Sequence, residues 1–124
     1  MLYTSYYAKQ KDNKTNNLIA ISQTKPSWLE WPNQSCHLVK LAPPKWLVWK
    51  YKQCRTISEE EFEEQYLLYL NQNKEEILDI VRNIPDESIL LCYERVGAFC
   101  HRHILAKWLN GNNIKIVEWD YRNM

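Results

Sequence analysis

The sequence predicts an α/β protein: a single Rossmann-like, three-layer domain over residues 1–124, with a small, mostly parallel sheet. Three observations carry that prediction. The second half alternates apolar runs with helix-period segments, which implies right-handed crossover units with helices packed on a sheet. The run Ile89-Leu90-Leu91 is apolar without alternation, as in a strand covered on both faces. A chain of 124 residues with 45% hydrophobic content supports a real core without disulfide staples.

Each element has its own signal. "LYTSYY" near the amino end combines aromatic and β-branched types and reads as a strand. "AKQKDNKTNN" is polar and reads as an exposed loop, and "LIAIS" (18–22) as a short buried strand. Four prolines between Lys25 and Pro44 mark irregular turns. Pro44 suits the opening of a helix, and "KWLVWKYK" then places Trp46 and Trp49 on one face. The clearest helix is "SEEEFEEQYLLYLNQN". Ser58 with Glu61 forms a capping box, and Phe62, Tyr66, Tyr69 and Leu70 keep helical spacing toward a core. "KEEILDIVRNI" is a second helix stopped by Pro85, and "SILLCYE" a buried strand. Phe99 to Asn110 is a third helix with Gly111 just past its end, and "IKIVEW" is the last strand.

Composition excludes several function classes. The net charge of +1 lacks the basic excess on which non-specific nucleic-acid binding relies, although residues 37–55 carry Lys and Arg without an acid. No apolar run approaches the roughly 20 residues of a membrane span. "MLYTSYYAKQKD" lacks the pattern of a secretory signal, so the expected location is the cytoplasm and all four cysteines are expected as free thiols. Core packing is expected to absorb most of the six Trp.

The stretch 92–103 leaves the carboxyl end of one strand and enters the next helix, where ligands bind in open α/β sheets. Gly97 permits a close turn. The free amides of a helix start favour an anion, and Arg102 offers a planar fork with His101 as a further donor. The plain alternative is a Glu94–Arg102 pair that merely closes the turn. Cys92, Cys100, His101 and His103 are chemically apt for zinc, yet Cys100 and His103 share a helical face that His101 does not, so no metal is expected. Cys100 in a first helical turn near Arg102 meets the conditions for a lowered thiol pKa; inert packing is the competing reading.

"LLCYERVGAFCHRHILAKWL" resembles the signature of the domain of unknown function 488 family. In that family a strand ends in a Leu-Cys-x-Glu run and a Cys-His-Arg triplet opens the next helix. Cys92, Glu94, Cys100, His101 and Arg102 fit the pattern, and "YTSYYA" is similar to the opening strand of its short members. The chain departs from the longer members in two places. It has Tyr6 and Tyr7 where they carry a glycine-histidine pair, and Ser22, Thr24 and Lys25 where they carry an Asp and an Arg.

With the first strand beside residues 88–93, Thr4, Ser5 and Tyr6 are expected in the same crevice, joined by Ser22 and Lys25 from the second strand. The expected ligand set is therefore Thr4, Ser5, Tyr6, Ser22, Lys25, Cys92, Glu94, Cys100, His101 and Arg102. Hydroxyls, a carboxylate, a guanidinium and aromatic faces suit a phosphorylated, nucleotide-like small molecule, held or sequestered, with no cofactor. In a virus or mobile element such a protein would remove a signalling nucleotide used in defence, by analogy alone. A hydrolase or transferase using Cys100 or Glu94 is the enzyme alternative. A protein-interaction module built on the Trp-rich segment 28–51 is the third, and a homo-oligomer is compatible with each.

Overall fold

The computed structural model describes residues 1–29, 37–94 and 99–119. Its sheet contains β1 (Leu2–Tyr6), β2 (Leu18–Ala20), β3 (Ile89–Cys92) and β4 (Ile116–Glu118), in the spatial order β2-β3-β1-β4. All three pairings are parallel, with Tyr6 beside Cys92, Ala20 beside Leu91 and Thr4 beside Glu118. The fold class expected from the sequence is the one observed.

Side-chain alternation along each strand divides the interior into two cores. Leu2, Ile19, Leu90 and Ile116 face the larger one, with Leu47, Phe62, Leu70, Ile77, Val81 and Leu105 from the helices. Tyr3, Leu18, Ala20, Ile89 and Leu91 face the opposite way, against Tyr7, Leu29 and Trp119. Helices thus form one layer, the sheet the second, and a thin layer of turn and loop residues the third. That double covering explains why β3 is fully buried and reads as an unbroken apolar run.

The helices are α1 (Lys45–Trp49), α2 (Glu59–Gln72), α3 (Lys74–Arg82) and α4 (His101–Gly111). Ser58 caps α2 by accepting the Glu61 amide at 3.1 Å, half of the capping box that the sequence announces. Tyr66 and Tyr69 extend from α2 and donate to the carbonyls of Leu41 and Lys40, fastening the proline-rich segment over the core. After Pro44, α1 widens into a turn over Lys50–Cys54, which Arg55 ends in the left-handed region at φ 54°.

Three local expectations are corrected. First, α4 begins at His101 with Cys100 as its N-cap, so Phe99 lies outside the helix. Secondly, Gly111 is the last helical residue, and Asn113 takes the left-handed conformation (φ 68°) that glycine was expected to supply. Asparagine tolerates that region because its short side chain bonds locally. The last correction concerns tryptophan. Trp108 and Trp119 are buried, but Trp28, Trp46 and Trp49 are about half exposed, with Lys50 over the Trp46 ring. Leu47, not either Trp, turns α1 into the core. Among the described residues no helix is long and apolar enough to cross a membrane.

Candidate functional site

The connections from β1 and β3 leave toward opposite faces of the sheet, so the carboxyl edge divides between these neighbouring strands. Tyr7 and Tyr93 meet there edge to face, 4.7 Å apart, and fill that gap. The chemistry therefore collects on the helix side of the edge, in two adjoining places.

The first place is sealed. Thr4, Tyr6, Cys92 and Glu118 stand two or four residues from the core residues Leu2, Leu90 and Ile116 on the same strands, and so share their face toward the helix layer. Arg102, from the first turn of α4, reaches down among them and is fully buried. Its Nε donates to Glu118 Oε1 at 3.0 Å and Nη2 donates to Oε2 at 2.9 Å, a bidentate pair. Nη1 donates to Cys92 Sγ at 3.0 Å and to the Glu94 carbonyl. Thr4 Oγ1 donates to Glu118 Oε1 at 2.7 Å, and the Tyr6 ring lies against the guanidinium. Arg102 is thus neither the open anion contact nor the partner of the Glu94 carboxylate that the sequence suggested. Its fork matches the Glu118 carboxylate, which strand register brings within reach.

The second place is open. A cleft of about 170 Å³ lies beyond β2 and β3, between α1, α2 and the start of α4. Tyr51, Phe62, Tyr93 and Phe99 give it aromatic walls, and Ser22, Thr24, Lys52, Glu94, Cys100 and His101 supply its polar groups. Lys52 and Glu94 form an ion pair at the mouth, with Lys52 about half exposed. Ser22 donates to the Thr24 carbonyl at 2.6 Å, and Tyr93 and Thr24 share a hydroxyl contact at 3.0 Å.

Among the cleft residues, His101 has a strongly altered ionisation. Its Nε2 meets the Ile21 carbonyl at 2.7 Å, and a carbonyl can only accept, so the proton sits on Nε2 and Nδ1 is the basic nitrogen. Burial lowers the imidazole pKa to about 4, against the smaller opposing pull of that carbonyl. The ring is neutral at physiological pH. The Nε2 donor that the sequence suggested for an anion is engaged by the Ile21 carbonyl.

The sulfurs of Cys92 and Cys100 meet, while their Cα atoms stand 7.5 Å apart, wider than a disulfide ordinarily spans. Cys92 turns toward the helix layer at the end of β3, and the N-cap position directs Cys100 back at it. Cys54 is free and exposed; Cys36 and the Gly97 turn lie outside the described residues. Ligand atoms of Cys92, Glu94 and Cys100 lie within 4.8 Å of one another, a different trio from the Cys and His set weighed for zinc. Here the two sulfurs meet, Arg102 donates to one, and Lys52 pairs with the carboxylate.

Of the residues expected to line one crevice, Ser22, Glu94, Cys100 and His101 do so. Thr4, Tyr6, Cys92 and Arg102 belong to the sealed cluster. Ser5 faces the opposite core and accepts from Gln10 Nε2 at 3.1 Å, and Lys25 is exposed away from the cleft lining. The aromatic walls, Lys52 and Glu118 escaped sequence reading. Only the acid-free basic run 37–55 hinted at Lys52.

No curated protein and no solved structure matches the chain. The family model for the active DUF488-N3 subclade matches residues 4–113, which takes in most of β1, then β2, β3 and α1 to α4, with the cleft residues and Arg102 but not Glu118. That match covers far more than the Cys-Glu and Cys-His-Arg signature: the chain belongs to the DUF488 family.

Proposed function

We propose that the open cleft binds a phosphorylated, nucleotide-like small molecule. The observation that carries this reading is a ring-sized space with aromatic walls and a polar, partly cationic mouth. About 150 Å³ is enough for a single aromatic ring in an apolar cavity, so a space of about 170 Å³ suits one base. A ring placed there meets the faces or edges of Tyr51, Tyr93 and Phe99. Glu94 and the Thr24 hydroxyl accept from or donate to ribose hydroxyls. The phosphate then lies toward Lys52 and the first turn of α4, where no side chain caps the helix. Arg102 does not touch the ligand; it holds the Glu94 backbone and β3 in place beneath it.

A second reading is favoured by Cys100, whose side chain lines the same space. In the reduced protein its sulfur is a nucleophile on the cleft wall that also carries His101, which fits a hydrolase or transferase. The match to an active subclade supports that reading.

One experiment separates them. The purified, reduced protein is incubated with a mixture of nucleoside mono-, di- and triphosphates and cyclic nucleotides, then examined by native mass spectrometry. A retained, unchanged nucleotide is the expected result, and a chemically altered one establishes the enzyme. Neither retention nor conversion at millimolar nucleotide would end both readings.

A further inference from the structure

We propose that Cys92 and Cys100 are a reversible redox couple that adds a thiol to the cleft or withdraws it. The inference concerns regulation of the cleft and rests on reading that cleft as the ligand site. Three observations carry it. The two sulfurs meet across the start of α4, one from the end of β3 and one from the N-cap. Both side chains are buried, but Cys100 forms part of the cleft wall and Cys92 does not. They also differ in stabilisation, because Arg102 Nη1 donates to Cys92 Sγ at 3.0 Å and favours a thiolate there.

Those differences assign the roles. In the reduced protein a hydroperoxide enters the cleft, and the Cys100 thiolate attacks its terminal oxygen. The O–O bond breaks, leaving a sulfenic acid on Cys100 and an alkoxide or hydroxide that takes up a proton. The Cys92 thiolate then attacks the Cys100 sulfur and expels hydroxide, which becomes water. Two thiols are oxidised and one peroxide is reduced. Return requires a small thiol. Its thiolate attacks the Cys100 sulfur from the cleft, and Cys92 departs as the thiolate that Arg102 stabilises. A second thiol resolves the mixed disulfide and frees Cys100. Disulfides in reducing compartments are usually transient, and a couple with one cleft-facing and one ion-stabilised sulfur has the form that transience requires.

The test uses the full chain and needs no ligand for its first arm. Reduced protein receives one equivalent of hydrogen peroxide, is alkylated, and is mapped by peptide mass spectrometry. The expected product is a Cys92–Cys100 crosslink that dithiothreitol reverses, while Cys54 is alkylated throughout. In Cys92→Ser the peroxide leaves Cys100 as a sulfenic acid that dimedone captures. In Cys100→Ser, dimedone labelling of Cys92 is at least tenfold slower. Absence of the crosslink in the wild-type chain, or equal labelling of the two variants, overturns the couple. The second arm measures iodoacetamide alkylation of Cys100 in Cys92→Ser with and without adenosine monophosphate and cyclic nucleotides. Slowing by a nucleotide ties the couple to the ligand site. A couple that forms while no nucleotide slows alkylation retains the redox chemistry and removes its link to the cleft.

Discussion

The sealed cluster and the open cleft share one edge of one sheet and draw on adjacent residues of the same segment, yet they treat charge in opposite ways. In the cluster, Arg102 meets Glu118, Thr4, Cys92 and a carbonyl, so its donors are spent inside the protein. In the cleft, Lys52 and Glu94 pair at a mouth that water reaches, and an anion or a hydroxyl can exchange places with either partner. A buried guanidinium is costly to leave unpaired, whereas an exposed pair is held by a fraction of a kilocalorie. The lesson is that a signature arginine beside a strand end need not touch a ligand. Its neighbour two residues away lines the open cleft while the arginine builds the floor.

The largest expected effect breaks the floor. Arg102→Ala leaves the Glu118 carboxylate partly buried without its cation, and loss of one partner from such a pair costs about 3 kcal/mol. Urea denaturation followed by circular dichroism should show that fall, and nucleotide affinity of the folded fraction should stay within about threefold. A protein of wild-type stability with sharply weakened binding would reverse the assignment and return Arg102 to the ligand.

The next effect is pH-dependent and lies on the boundary between the two regions. His101 has a folded pKa of about 4 and an ordinary value of 6.5. The unfolded chain therefore binds more protons between those values. The stabilisation is complete above pH 6.5 and is lost as pH falls toward 4. For a partly exposed ring the loss is on the order of 2 kcal/mol. His101→Gln keeps a donor for the Ile21 carbonyl without the titration, so its melting temperature should fall less over the same interval. Parallel curves for the two proteins would show that His101 is not the group responsible.

The comparison also explains what was legible in advance. Strand β3 announced itself because burial on both faces demands Ile89, Leu90 and Leu91 in succession. Helix α2 did so through Ser58 and Glu61, a local signal that needs no knowledge of the fold. That polar groups gather beside the passage of β3 into α4 was legible too. The division of residues within it did not. Thr4 and Ser5 are neighbours in sequence but point to opposite cores, and their fates separate only when Glu118 arrives beside Thr4 through the β1–β4 register. Tyr51 and Lys52 come from a widened turn some 40 residues before Glu94, a distance at which no spacing rule operates. The meeting of Cys92 and Cys100 was hidden for the same reason: the start of α4, two residues beyond where periodicity put it, aims Cys100 at Cys92.

A smaller effect sharpens the cleft side. Tyr51 packs against Phe62 and Phe99 at ring distances of 5.2 and 5.3 Å and forms one wall. An aromatic pair contributes about 0.5–1.5 kcal/mol beyond area, so Tyr51→Ala should weaken nucleotide binding by roughly 2- to 12-fold. Isothermal titration with the nucleotide retained in the mass-spectrometric experiment measures this directly. Undiminished affinity would move the base away from that wall.

The smallest stability change belongs to Lys52, and its smallness is the point. Its pair with Glu94 is half exposed, and such pairs contribute at most about 1 kcal/mol, often nothing measurable. Lys52→Ala should therefore leave the urea midpoint almost unchanged. If Lys52 meets the phosphate, the same substitution removes a charged hydrogen bond contributing about 1.5–3 kcal/mol, so affinity falls by roughly 10- to 150-fold. Binding to the wild type should also weaken with added salt, and the variant should lose part of that dependence because one cation is gone from the mouth. Arg102→Ala and Lys52→Ala are then mirror images, one losing stability and keeping affinity, the other the reverse. If Lys52→Ala binds nucleotide as well as the wild type, the cleft mouth does not hold the phosphate, and the contrast between a structural floor and a ligand-facing rim fails at its rim.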